Sequence, residues 1–141
     1  MEQNQSRSIL YIEDDPEMID LVSMILSRRG YSVKGAHGGR HGLDLITAEK
    51  PELILLDLMM PDIDGWDVYQ QIKGNPDTRD IPVIVITAKS QTIDKVLGLH
   101  IAGVDDYLCK PFHPQELWDS IDRVFSRLNQ KSQPDQMPGS S

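Results

Sequence analysis

Residues 53–66 read LILLDLMMPDIDGW. Four aliphatic residues in a row, Leu53–Leu56, stop abruptly at Asp57, and a Pro/Gly-containing loop follows. A strand with one wet face alternates apolar and polar residues, whereas an unbroken apolar run of this length is a strand covered on both faces. Working outward, Ile9–Ile12 and Pro82–Ile86 repeat the pattern, and Tyr31–Ala36 and Val104–Leu108 are weaker versions of it. Helical segments lie between them. Asp15-Pro16-Glu17 has the chemistry of a helix start, with a capping carboxylate, a proline in the first turn and an acid near the positive end. Met18, Val22, Ile25 and Leu26 then share one helical face, and Gly30 is placed to end it. Gly42–Lys50 is a helix that must stop before Pro51. Trp66–Lys73 is stopped by Gly74-Asn75-Pro76, Thr92–Ile101 precedes Gly103, and Pro114 opens a last helix burying Leu117, Ile121, Val124, Phe125 and Leu128. Five strands alternating with five helices imply an α/β fold, a doubly wound parallel sheet in a single domain.

The 141 residues suit one domain that folds without a disulfide or structural metal. Fourteen basic against 22 acidic residues give a net charge of −8, which disfavours direct binding to nucleic acid or an anionic membrane. The single cysteine, Cys109, excludes a disulfide framework and a cysteine-rich zinc site, and fits a reducing cytoplasm. Residues 1–8 are polar and carry no signal peptide, and no apolar run is long enough to cross a bilayer. The expected organisation is a disordered N-terminus over 1–7, a domain over 8–128, and a polar disordered tail or start of a linker over 129–141.

Ligands of doubly wound sheets bind beyond the carboxyl ends of the strands. There the sequence places Glu13, Asp14 and Asp15 after the first strand, Asp57 after the third, Thr87 after the fourth and Lys110 after the fifth. Clustered carboxylates repel, and a hard divalent cation relieves that repulsion. Carboxylates, a hydroxyl and an amine at one sheet edge suit metal-assisted phosphoryl transfer to a carboxylate. Asp15 is better read as the helix cap, and Asp62 and Asp64 as turn residues. His37, His41, His100 and His113 lack metal-ligand spacing, and Cys109, Trp66 and Trp118 are read as packing residues.

In this context the segments ILYIEDDPEM, LILLDLMMPDIDGW, IPVIVITA and GVDDYLCKPF stand in the order and spacing of one family. The chain resembles the receiver domain of two-component response regulators, of the CheY-like superfamily, over roughly residues 8–128. The resemblance implies a flavodoxin-like sheet of order 2-1-3-4-5. It implies that Asp57 is the phosphoacceptor. It makes Asp14 a Mg²⁺ ligand with Asp57 and the Met59 backbone carbonyl, with Glu13 acting mainly through water; Mn²⁺ can substitute. Thr87 becomes the switch hydroxyl, Lys110 the cation for the phosphoryl oxygens, Ala88 the small residue beside them, and Tyr107 the aromatic switch. The Lys110–Pro111 bond is expected to be cis. Met59 and Lys89 occupy the two positions that tune dephosphorylation.

The implied partners are a sensor histidine kinase or a histidine phosphotransfer protein, and a downstream protein target. The target would dock on the face made by the fourth helix, fifth strand and fifth helix. The active form is a monomer or a phosphorylation-dependent homodimer. Ser120 stands where regulators that dimerise through this face usually carry a basic residue, and Trp118 is expected to add exposed apolar surface. With only polar residues after the last helix, the chain reads as a single-domain regulator or an excised receiver. A stand-alone Mg²⁺-dependent phosphohydrolase would want a second carboxylate close to Asp57, and Asp57-Leu58-Met59 has none at that spacing. A flavin or nucleotide module would want a phosphate-cradling loop where Glu13-Asp14-Asp15 stand. A binding-only module would not need the complete acidic, hydroxyl and lysine set.

Overall fold

The computed structural model describes residues 7–88 and 103–131. Five parallel strands form one sheet: β1 (Ser8–Ile12), β2 (Ser32–Ala36), β3 (Leu53–Asp57), β4 (Val83–Ala88) and β5 (Asp106–Lys110). Their order is β2-β1-β3-β4-β5, as the resemblance implied. Among the described residues four helices pack on it: α1 (Pro16–Ser27), α2 (Gly39–Glu49), α3 (Gly65–Gly74) and a C-terminal helix (Pro114–Lys131). The helix expected over 92–101 lies outside the described residues, as does Lys89.

Alternation along the strands divides the core into two layers. Ile9, Tyr11, Leu53, Leu55, Ile84, Ile86 and Leu108 face α1 and the C-terminal helix, meeting Val22, Leu26, Leu117 and Ile121. Leu10, Ile12, Ile54, Leu56, Val83 and Val85 face the other way, toward Ile46, Val68, Tyr69 and Ile72. β3 is buried at every residue, which accounts for its unbroken apolar run. β2, at an edge, is more exposed and correspondingly mixed in composition.

Several boundaries differ from the sequence reading for physical reasons. α2 begins at Gly39, not Gly42, because the Asp62 carboxylate accepts hydrogen bonds from the Gly39 and Arg40 N–H groups (3.2 and 3.3 Å). This long-range cap carries no local signal. Asp62 is therefore more than a turn residue; Asp64 caps α3, its carboxylate accepting from the Trp66 N–H at 2.8 Å. β5 runs two residues later than expected, placing Lys110 inside the strand. Asp105 is held in the bend before it, its carboxylate accepting from the Val83 N–H at 2.8 Å. Asp15 caps α1 as expected.

The C-terminal helix continues through Lys131, beyond Leu128, where the sequence reading ended the domain. Arg7 helps hold it, with its guanidinium 4.3 Å from the centre of the Phe125 ring and bonded to Asn129 Oδ1 at 3.3 Å. Trp118 is not an exposed apolar residue. Its indole N–H donates to the Ile25 carbonyl (3.1 Å), and the Arg29 guanidinium lies 4.5 Å from its ring centre. Ser120 is fully buried and donates to Asp106 Oδ2 at 2.7 Å, beside the Arg123–Asp106 ion pair at 2.8 Å. The charge on Asp106 is thus compensated within the chain. No helix among the described residues is long and apolar enough to cross a membrane.

Candidate functional site

The parallel strands end together, and their last residues build the site. Tyr11 pairs with Leu55 in register, so continuing the two strands by two residues sets Glu13 opposite Asp57. Alternation puts Asp57, Glu13 and Lys110 on the face that also carries Tyr11, Leu55 and Leu108. Lys110 Nζ donates to Glu13 Oε1 at 2.9 Å and to Asp57 Oδ2 at 3.0 Å. The other Asp57 oxygen accepts from the Met59 N–H at 2.9 Å. Asp57 is 2% exposed and Glu13 1%, so neither carboxylate relies on bulk water. Gly65 is required here. A Cβ on it would lie 2.5 Å from Leu58 Cα and 3.0 Å from the Asp57 carbonyl oxygen, so only glycine lets α3 approach the loop behind Asp57 this closely.

Ligand atoms of Glu13, Asp14 and Asp57 lie within 4.8 Å of one another. Asp14 is exposed while the other two are buried, giving the cluster an open side. Its donors are all hard oxygens, the set preferred by Mg²⁺ and Mn²⁺. The residues present fit such an ion. Thr87 leaves the opposite face of β4, on the side of Val83 and Val85, and is buried. Register pairs Val85 with Tyr107 and Thr87 with Cys109, so Thr87 and Tyr107 are diagonal neighbours on one face. The Tyr107 ring is 37% exposed. Ala88 closes β4 opposite Lys110, and the Lys110–Pro111 peptide bond is cis. Met59 is exposed.

The electrostatics follow from one cation serving two buried anions. The Asp57 carboxyl is pushed up to about 6, first by burial and next by the Glu13 carboxyl beside it; the Met59 N–H and Lys110 pull the other way. Burial also pushes Glu13 up. Asp57, which takes the proton in its place, and the donors Lys110 and Tyr11 outweigh that and leave it below the ordinary range. Asp14 is raised, by desolvation and then by Glu13. For Lys110 burial opposes the charged form, but Glu13 and Asp57 hold its proton more firmly than usual. On acidification Asp57, raised, takes a proton before Glu13, which is held low.

Asp62, read from sequence as a turn residue, also bridges the loop after β3 to the start of α2, and one member of this assembly was not singled out by sequence at all. Tyr11, counted only as strand, sends its hydroxyl to Glu13 Oε1 at 2.9 Å. A tyrosine two residues before an acid, on the same strand face, was the available signal.

Residues 9–122 match the response regulator receiver domain family. The chain belongs to that family. The receiver is 42% identical over 121 residues to the DNA-binding dual master transcriptional regulator RpaA of Synechocystis sp. (strain ATCC 27184 / PCC 6803 / Kazusa), covering 86% of this chain and 50% of that protein. It thus spans about half the length of the curated relative it matches. Among solved structures, it is similar to the signal receiver domain of a signal transduction histidine kinase from Syntrophus aciditrophicus. That match has TM-score 0.77 and 34% identity, over 86% of this chain and 91% of that one. A CheY-like response regulator receiver domain protein from Methanospirillum hungatei JF-1 matches with TM-score 0.80 and 27% identity, over 90% and 99%. Receivers are signalling domains of two-component systems, not classical enzymes, and the acidic cluster described above can hold a metal ion.

Proposed function

We propose that this receiver accepts a phosphoryl group on Asp57 from a histidine kinase or histidine phosphotransfer protein. The observation that carries the reading is the triad of Glu13, Asp57 and Lys110, in which one ammonium spans two buried carboxylates at 2.9 and 3.0 Å. An ionised Asp57 oxygen attacks phosphorus, the bond from phosphorus to the donor's imidazole nitrogen breaks, and the imidazole departs with that electron pair and takes up a proton. The attacking form of Asp57 is the ionised one, which Lys110 and the Met59 N–H favour against burial and the Glu13 carboxyl. Glu13, Asp14, Asp57 and the Met59 carbonyl would hold Mg²⁺, which when bound offsets the negative charge of the transferred group. Lys110 supplies the second positive charge and Ala88 leaves space beside it.

The new charge then draws the Thr87 hydroxyl inward, and the exposed Tyr107 ring follows it on the same face. The altered surface around β5 and the C-terminal helix is what a downstream protein reads. RpaA is a DNA-binding transcriptional regulator. A DNA-directed output in a longer protein fits that likeness, while contact between DNA and the receiver itself does not fit a chain of net charge −8.

The test is residue mapping. After incubation with acetyl phosphate and Mg²⁺, borohydride reduction should convert Asp57 to homoserine in the peptide that carries it. Modification at any other aspartate, or none, would contradict the reading. Lifetime gives a further expectation. Neither Met59 nor Lys89 can orient an attacking water as an amide or carboxylate does, so the phosphoryl group should persist. The double substitution Met59→Asn and Lys89→Glu should shorten its half-life severalfold, as followed by loss of the phosphorylated species on a phosphate-affinity gel.

A further inference from the structure

β1 reads SILYI, and Tyr11 is its one side chain with a polar end in the core. The residue is 0% exposed. A leucine or phenylalanine would fill the layer without burying a hydroxyl, which costs free energy unless it is hydrogen-bonded. The Tyr11 hydroxyl does have a partner: it donates to Glu13 Oε1 at 2.9 Å. That same oxygen also takes Lys110 Nζ, and the second Glu13 oxygen takes the Asp15 N–H at 3.1 Å. The Glu13 carboxylate is therefore held by three donors, two of them on one oxygen.

We infer that Tyr11 is a positioning residue for phosphoryl transfer, its hydroxyl keeping the buried Glu13 carboxylate bonded and aimed when Lys110 is drawn away to the phosphoryl group. The inference rests on Asp57 being the phosphoacceptor. In the unphosphorylated state Lys110 divides itself between Glu13 and Asp57. A phosphoryl group on Asp57 brings more negative charge to the Asp57 side, and the ammonium shifts toward it. Of the two protein donors on Glu13 Oε1, Tyr11 is then the one that stays, fixing which way the carboxylate faces. At 1% exposure Glu13 has little water to fall back on, and a buried acceptor that loses its donor bears the desolvation cost in full. The hydroxyl is thus worth more in the phosphorylated state than in the resting one. That asymmetry separates a positioning role from simple packing.

The test is Tyr11→Phe, which keeps the ring and removes only the donor, with Tyr31→Phe as a control. Tyr31 donates to Asp122 at 2.8 Å, so its loss removes a hydroxyl–carboxylate bond outside the site. The probe is beryllofluoride with MgCl₂, a phosphoryl mimic, with affinity read from backbone amide shifts by NMR. Tyr11→Phe should weaken beryllofluoride binding about tenfold, the scale of a lost hydrogen bond to a charged group. Tyr31→Phe should leave the affinity alone, whatever either substitution does to the melting temperature of the free chain. Unchanged affinity in Tyr11→Phe, or a loss matched in Tyr31→Phe, would overturn the inference. A wild-type chain that binds no beryllofluoride would overturn the phosphoacceptor reading itself.

Discussion

Lys110→Ala is expected to destabilise the protein by about 2–3 kcal/mol at neutral pH, because removing one partner of a buried pair strands the other. Here a single ammonium serves two anions, Glu13 at 2.9 Å and Asp57 at 3.0 Å. The lysine side chain is 27% exposed, so water recovers part of the loss and the estimate sits below the full cost of a deeply buried pair. The melting temperature should fall by roughly 10 °C for a domain of this size. The loss should shrink below about pH 5, where the stranded carboxylates take up protons instead of remaining charged. The same variant should be phosphorylated by acetyl phosphate about a hundredfold more slowly, the usual scale for removing one group that stabilises charge in the transition state. Thermal unfolding across pH, with the phosphorylation rate at a temperature where both proteins are folded, checks both halves. A variant as stable as the wild type at pH 7 would mean that the two carboxylates are not jointly held by Lys110.

Asp57→Asn should act in the opposite direction and stabilise the metal-free protein. A carboxyl whose folded value is raised from 3.8 to about 6 binds its proton more tightly in the folded state. Below about pH 4 Asp57 is protonated in both states and costs nothing. As pH rises from about 4 to about 6 the folded protein must give up that proton, so stability falls through this window and stays lower above it. The full shift corresponds to about 3 kcal/mol at neutral pH. That figure already includes the pull of Lys110; asparagine escapes the cost but sets an amide donor beside the ammonium, leaving an expected net gain of about 1–2 kcal/mol. Glu13, held below its ordinary value, behaves in reverse: it contributes stability above pH 4.5 that is lost on acidification. In EDTA the variant should therefore lose the decline between about pH 4 and 6 and keep the acid limb. MgCl₂ should stabilise the wild type markedly and the variant much less. Chemical denaturation at several pH values reads this directly, and a less stable Asp57→Asn at pH 7 would refute the electrostatic account.

What the sequence disclosed and what it hid divide along a physical line. Leu53–Leu56 and Ile9–Ile12 announced buried parallel strands because every position is apolar, and Asp15-Pro16 announced a helix start because capping is local. Glu13, Asp14, Asp57, Thr87 and Lys110 were legible because a parallel sheet brings all strand ends to one edge. Interactions between segments distant in sequence were not legible. The cap that Asp62 places on Gly39 and Arg40 set the start of α2, and only the fold brings those residues together. Trp118 was read as packing yet also expected to add exposed apolar surface, because nothing local shows that the Ile25 carbonyl waits for its N–H. Arg7 and Phe125 meet across the full domain, and the helix past Leu128 has no apolar periodicity to announce it. Tyr11 was hidden differently: its ring satisfies the strand pattern so well that its hydroxyl went unread.

The central claim is that Asp57, supported by Lys110 and a divalent cation, carries the phosphoryl group. Intact-protein mass spectrometry after incubation with acetyl phosphate and MgCl₂ tests it most directly, with Asp57→Asn and an EDTA-treated sample alongside. The account predicts a single gain of about 80 Da, one phosphoryl group, in the wild type with Mg²⁺ and in neither control. A gain that survives in Asp57→Asn, or a folded wild-type protein that gains nothing while another receiver in the same reaction is phosphorylated, would contradict it.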